Sequence, residues 1–257
     1  MTTNKTPRLA AAATHRPGAF VWFEVRTPAP EKARAFFSEV VGWKITDAPM
    51  GPGMTYTLAA TKDGSVAGIV KDERACMLSY VSVDDVDAAA KRVQKAGGTV
   101  KGAPMDVPTV GRMVEVADPD GASFVLIKSE RGDAPVPPSR GAFLWNELWA
   151  KDEKRALAFF TSVLGYTVDA QDMGGMRYHT LKVKDAMLAG LLQSPVPGPS
   201  AFLPYVQVDD VDASLLRVRK LGGAVVGEAR EVPGIGRFCT VRSPDGVTFA
   251  VMTAARA

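Results

Sequence analysis

The sequence of 257 residues is written twice, and no other feature narrows its folding options as much. Gly18-Ala19-Phe20-Val21-Trp22-Phe23-Glu24-Val25 returns 123 positions later as Gly141-Ala142-Phe143-Leu144-Trp145-Asn146-Glu147-Leu148. Phe36-Phe37 and Gly42-Trp43 return as Phe159-Phe160 and Gly165-Tyr166. Tyr56 and Ala67-Gly68 recur as Tyr178 and Ala189-Gly190, and Val83-Asp84-Asp85-Val86-Asp87 as Val208-Asp209-Asp210-Val211-Asp212. Gly111-Arg112 and Pro119-Asp120-Gly121 recur as Gly236-Arg237 and Pro244-Asp245-Gly246. Such a chain is expected to fold as two homologous modules, with the small changes of spacing falling in loops. The modules read as residues 18–130 and 141–254, joined by a Pro-rich spacer at 131–140 and preceded by a flexible tail at 1–17.

Composition removes several classes of partner. With 46% hydrophobic residues the chain has ample material for a core. A net charge of +3 with intermixed signs gives no basic stripe, so no nucleic-acid partner is expected. No apolar stretch approaches a membrane span, and the N-terminal segment has no apolar core of the secretory kind. Two cysteines, Cys76 and Cys239, make no disulfide framework. A cytoplasmic protein is the expectation.

Periodicity places the elements. Phe20 to Val25 alternates as a strand does, and Pro30 opens a helix whose apolar face is Phe36, Phe37, Val40 and Val41 and whose end is Gly42. Strand-like runs follow at Thr55–Ala59, Val66–Val70 and Leu78–Val83. Asp84 or Asp85 caps a second helix, Val86–Ala96, before strands at Met113–Val116 and Ser123–Ile127. The fold class is α+β, and each module is itself a doubled βαβββ unit.

That order, the Trp-x-Glu opening, the Phe-Phe-x-x-Val helix end and the Pro-Asp-Gly turn resemble the vicinal oxygen chelate superfamily of glyoxalases, bleomycin-resistance proteins and extradiol dioxygenases. The chain looks most like its tandem, two-module, glyoxalase-like members. The resemblance implies a mixed sheet cupped around a ligand cavity in each module. In the family's metalloenzymes His, Gln or Glu side chains on the inner face hold a divalent ion. Carried across, those positions fall on Phe20, Gly68, Leu78 and Val125, and on Phe143, Gly190, Leu203 and Ala250. None has a lone pair to donate through its side chain, so no metal and no cofactor are expected. A site rebuilt from Glu24, Glu147 and His179 is the one alternative, since His15 and His179 are the only histidines.

Strand alternation then gives the inner face. If Phe20 points inward, so do Trp22 and Glu24, and by the repeat Phe143, Trp145 and Glu147. Leu78 and Tyr80, matched by Leu203 and Tyr205, join them, as do Tyr56 and Tyr178 if their less certain strand has the same parity. The candidate ligand-binding set is therefore Trp22, Glu24, Tyr56, Tyr80, Trp145, Glu147, Tyr178 and Tyr205 around an apolar cavity. An inward Glu needs a reason, either an ion pair with an Arg of the other module or a ligand. Arg112 and Arg237 are expected to tie their loops through backbone carbonyls, or else to grip an anion at the cavity mouth. Cys76 and Cys239 read as small buried hydrophobes, and no catalytic residue can be named.

The expected function is metal-independent binding of a small organic molecule, hydrophobic or aromatic, sequestered or carried as the resistance proteins do. The alternative is a glyoxalase-like lyase, isomerase or hydroxylase-like enzyme moving a proton with a carboxylate. Either a monomer with internally paired modules or a homodimer would serve, with no membrane partner.

Overall fold

The computed structural model describes residues 14–51, 54–133, 135 and 137–255. Residues 1–13 of the expected tail, and 134 and 136 of the spacer, lie outside this set. Module one runs β1 (Phe20–Thr27), α1 (Pro30–Val41), β2 (Lys44–Gly51), β3 (Met54–Thr61), β4 (Gly64–Lys71), β5 (Cys76–Ser82), α2 (Val86–Lys95), β6 (Thr99–Val107), β7 (Gly111–Ala117) and β8 (Ser123–Ser129). Module two repeats it: β9 (Phe143–Ala150), α3 (Glu153–Leu164), β10 (Thr167–Asp172), β11 (Arg177–Val183), β12 (Ala186–Gln193), β13 (Ala201–Gln207), α4 (Val211–Lys220), β14 (Ala224–Val232), β15 (Gly236–Arg242) and β16 (Thr248–Ala254).

Each module forms one eight-stranded mixed sheet, in the orders β2-β3-β4-β1-β5-β8-β7-β6 and β10-β11-β12-β9-β13-β16-β15-β14. In the first, β1 pairs parallel with β4 and antiparallel with β5, and β5 is parallel to β8. The central strands are thus the first of each βαβββ half. The helices follow local rules: Gly42 and Gly165 take the left-handed conformation that ends α1 and α3, and the Asp85 carboxylate caps α2 by accepting from the Ala88 amide.

The two modules share their cores. Phe23, Val25, Phe36, Phe37 and Trp43 of module one pack in one cluster with Val206, Val218, Val241, Phe249 and Val251 of module two. Val81, Val93 and Phe124 pack reciprocally with Leu148, Phe159, Phe160 and Leu191. Helix α1 lies against α4, and α2 against α3. Related hydrogen bonds close the interface: Trp43 Nε1 donates to the Gly141 carbonyl at 2.8 Å, and the Tyr166 hydroxyl donates to that of Gly18. The helix-bearing faces of the two sheets are therefore turned toward each other, and the faces carrying Glu24 and Glu147 are turned away from this shared core.

Residues 14–17, counted with the tail in sequence, are tied to the spacer. The buried Asp133 carboxylate accepts from the Arg16 amide at 2.7 Å and from the Ser82 hydroxyl at 2.6 Å.

Candidate site: two unequal cups

The inner face is set by β1 and β9 after a β-bulge. Phe20 pairs with Val81 and Trp22 with Tyr80, so two residues of β1 oppose one of β5; β9 and β13 repeat the irregularity at Phe143. Trp22 and Glu24 point into the cup as expected, but Phe20 and Phe143 do not. The extra residue reverses their parity, so Phe20 packs edge-on to Phe202, and Phe143 stacks on Phe23 at 3.6 Å, both between the modules. Val21 and Leu144 take the places within the cups.

All eight expected binding residues meet on the two concave faces. In cup one the Tyr56 and Tyr80 hydroxyls donate to Glu24 Oε2 at 3.0 and 3.1 Å, and Trp22 Nε1 donates to the Tyr56 hydroxyl at 3.3 Å. In cup two the Tyr205 hydroxyl donates to Glu147 Oε1 at 3.1 Å, and Trp145 Nε1 donates to the Tyr178 hydroxyl at 2.8 Å. Both acids are buried, Glu24 being 5% and Glu147 7% exposed. Leu78, Val125 and Ile127 line the first floor, and Leu203, Ala250 and Met252 the second.

Gly68 and Gly190 are seats for the tyrosines. A Cβ at either position would lie 1.9 Å from the Tyr56 or Tyr178 hydroxyl. The position at which the resemblance implies a ligating side chain is therefore filled by a phenol reaching over from the neighbouring strand. With Leu and Val or Ala at the remaining inward positions, this donor set does not fit a divalent ion. His179 cannot complete one with Glu147: it lies on the opposite face of β11, against α3, with Nε2 2.9 Å from Glu153 Oε1. Glu24 and Glu147 belong to cups on separate sheets.

The cups differ sharply in charge. In cup one Arg26 Nε donates to Glu24 Oε1 at 2.8 Å, and its Nη1 to Glu115 at 2.8 Å and Asp72 at 3.3 Å. Arg74 and Lys101 also bind Glu115. Three cations thus interlock with three carboxylates. Against the opposing effect of burial, the Arg74 and Lys101 hydrogen bonds and the Arg26 charge hold the Glu115 carboxyl down at about 2. The partner of the inward Glu is therefore not an Arg of the other module but the residue two places along the same strand. Arg26 shares the parity of Glu24, and that was the available signal.

Cup two has lost this lattice. Trp149 stands where the repeat has Arg26, Ser194 where it has Asp72, Val226 where it has Lys101 and Thr240 where it has Glu115. Trp149 Nε1 donates to Glu147 Oε1 at 2.7 Å, a neutral replacement for the guanidinium. Burial pushes the Glu147 carboxyl above its ordinary value of 4.5, with hydrogen bonds from Trp149, Tyr178 and Tyr205 opposing. The charge of Arg230 on β14, itself exposed, is felt at the Tyr205 hydroxyl.

The folded protein thus holds the Glu147 proton more tightly than the unfolded chain does. Its contribution to stability is intact below pH 4.5 and falls as pH rises toward the shifted value. Glu147→Gln, a permanent stand-in for the protonated acid, is expected to raise the melting temperature at alkaline pH and leave it nearly unchanged in mild acid. Equal shifts at both ends of a thermal-melt pH series would contradict this.

Other expected features are structural. Arg112 binds the Asp87 and Asp106 carboxylates, and Arg237 binds Asp212, so both tie loops through side chains rather than carbonyls. Shallow hollows of about 420 and 330 Å³ beside these ion pairs lie outside the cups. Cys239 is buried in a shared core, whereas Cys76 is only half-buried, paired with Arg26 across β1 and β5. Among the described residues no group of three or more His, Cys, Asp and Glu side chains converges as metal ligands would, and no helix is long and apolar enough to cross a membrane.

Mixed sheets built from paired βαβββ units, each carrying a buried Glu among phenols and indoles on one face, define a tandem glyoxalase-like protein. The chain belongs to the Glyoxalase/Bleomycin resistance protein/Dioxygenase superfamily, whose model matches residues 19–126 and 143–251. It is 32% identical over 249 residues to "Putative glyoxylase CFP32" of Mycobacterium tuberculosis, covering 93% of this chain and 95% of that protein. It is 30% identical over 259 residues to the anthracycline biosynthesis protein DnrV of Streptomyces peucetius, covering 92% and 93%. Among solved structures, the Mn(II)-bound glyoxalase from Novosphingobium aromaticivorans superposes with a TM-score of 0.67 at 18% identity, covering 93% of this chain and 82% of that one. At that identity the likeness is one of fold.

Proposed function

We propose that this protein binds a small aromatic compound without the help of a metal, sequestering or carrying it in the manner of the resistance proteins of its superfamily. The observation that carries the reading is the seating of the Tyr56 and Tyr178 hydroxyls over Gly68 and Gly190, where an ion's ligand would have to stand. The walls above the buried acids are indole and phenol rings, which suit a flat, apolar guest held by a few polar contacts. Relatives named for anthracycline biosynthesis are consistent with a planar polycyclic ligand.

Two measurements on the purified chain test this. Elemental analysis is expected to find no stoichiometric Zn, Ni, Mn or Fe, and the planar hydroxyquinone quinizarin is expected to quench Trp fluorescence saturably. One equivalent of a divalent metal per module, or no saturable quenching, would overturn the proposal.

A second reading is favoured by one observation. Burial pushes the Glu147 carboxyl above its ordinary value beside the Tyr178 and Tyr205 hydroxyls, a shift in the direction that general acid–base catalysis uses. In a glyoxalase-like enzyme Glu147 would transfer a proton to or from a small organic substrate.

A further inference from the structure

Cup one already contains a cation for its acid, and cup two does not. In cup one the Arg26 guanidinium rests on Glu24 Oε1 and is itself enclosed by Asp72 and Glu115. The first cup is in this sense occupied by its own chain, and a guest there would have to displace the Arg26 guanidinium from a three-on-three lattice of charges that runs from the buried Glu24 out to the exposed Arg74 and Lys101. At the matching place in cup two the buried Glu147 is surrounded by Trp145, Trp149, Tyr178 and Tyr205, with Phe238 packed edge-on to Tyr205 at 5.5 Å. Its hydrogen bonds from Trp149 and Tyr205 both end on Oε1. A carboxyl inside a cage of electron-rich rings is the arrangement that favours an organic cation, by charge and by cation–π attraction together.

We infer that cup two is the ligand site of this protein, that cup one is a structural copy closed by Arg26, and that the ligand of cup two carries a protonated amine on its aromatic body, seated against Glu147. This rests on the aromatic-binding reading and assigns it a location and a charge. The amine takes the role in cup two that Arg26 plays in cup one, and its arrival leaves Glu147 ionised and paired. The Arg230 charge at the rim is exposed and solvent-screened, so it opposes entry weakly.

A matched pair of probes tests the inference: 1-naphthylmethylamine, charged at neutral pH, and 1-naphthalenemethanol, its neutral counterpart. Titration calorimetry on the intact chain is expected to show the amine bound roughly tenfold or more tighter than the alcohol. Glu147→Gln is expected to erase that preference. Trp149→Arg, which sets a guanidinium beside Glu147 as Arg26 stands beside Glu24, is expected to abolish amine binding, and as a second variant altering a different residue of the cup it guards against a misfolded Gln variant. Equal binding of both probes would leave aromatic binding standing and overturn the cationic assignment. An amine preference that survives in both folded variants would place the site outside cup two and overturn the inference. Binding of neither probe would remove the aromatic-binding reading and the inference with it.

Discussion

Phe249→Ala is expected to destabilise the whole chain by about 3–5 kcal/mol, although the residue belongs to one module only. Its ring is fully buried on β16 of module two, yet the rings it meets are Phe37 and Phe36 of α1 in module one, at centroid distances of 5.2 and 6.3 Å. Phe37 in turn stacks on Trp43 at 4.9 Å, which makes that indole a reporter in the other module. Because both of the large core clusters draw buried residues from each repeat, neither module retains a complete core without the other. Thermal unfolding followed by Trp fluorescence, and separately by far-ultraviolet circular dichroism, should give one coincident transition moved down by roughly 10 °C or more. Two separable transitions, with only the later part of the chain affected, would show that the modules fold independently.

This sharing was not legible in the sequence, and the reason is physical. Alternation along β1 says that Phe23 and Val25 are buried, but the partner that buries them lies more than a hundred residues away and carries no local mark. What alternation did reveal was the opposite face. Trp22, Glu24, Tyr80 and their copies were placed correctly because each strand keeps strict parity through them. Phe20 and Phe143 were not, because a bulge adds one residue without leaving a glycine or proline to announce it. Strands β2 and β6 were also invisible: both are sheet edges, largely exposed, and each contains a proline (Pro49, Pro104), so neither has the apolar period that betrays an inner strand. The inequality of the cups, by contrast, was readable. Arg26 and Trp149 occupy equivalent places in the repeat, and comparing the copies residue by residue at positions two beyond each inward Glu exposes the swap.

That swap predicts opposite responses to truncation in the two cups. Arg26→Leu removes the cation from the buried Glu24 and is expected to cost about 3–5 kcal/mol, because a buried acid is left without its ion-pair partner. Trp149→Phe removes only a neutral indole hydrogen bond from Glu147 and is expected to cost about 1–2 kcal/mol. Asp72 and Glu115 retain Arg74 in the first variant, so the loss centres on Glu24. Adding Glu24→Gln to Arg26→Leu should therefore recover much of the lost stability, since neutralising both partners removes the stranded charge. Acid titration supplies an independent sign. Glu115 is held at about 2 in the folded chain against an ordinary 4.5, so its contribution is complete above 4.5 and is lost as pH falls toward 2. Without the Arg26 charge that loss should begin from a smaller contribution, giving a shallower fall in melting temperature across the same interval. If Arg26→Leu proves no more costly than Trp149→Phe, and the double variant is worse than the single, the lattice in cup one does not neutralise Glu24, and the distinction between a self-occupied cup and a receptive one loses its physical basis.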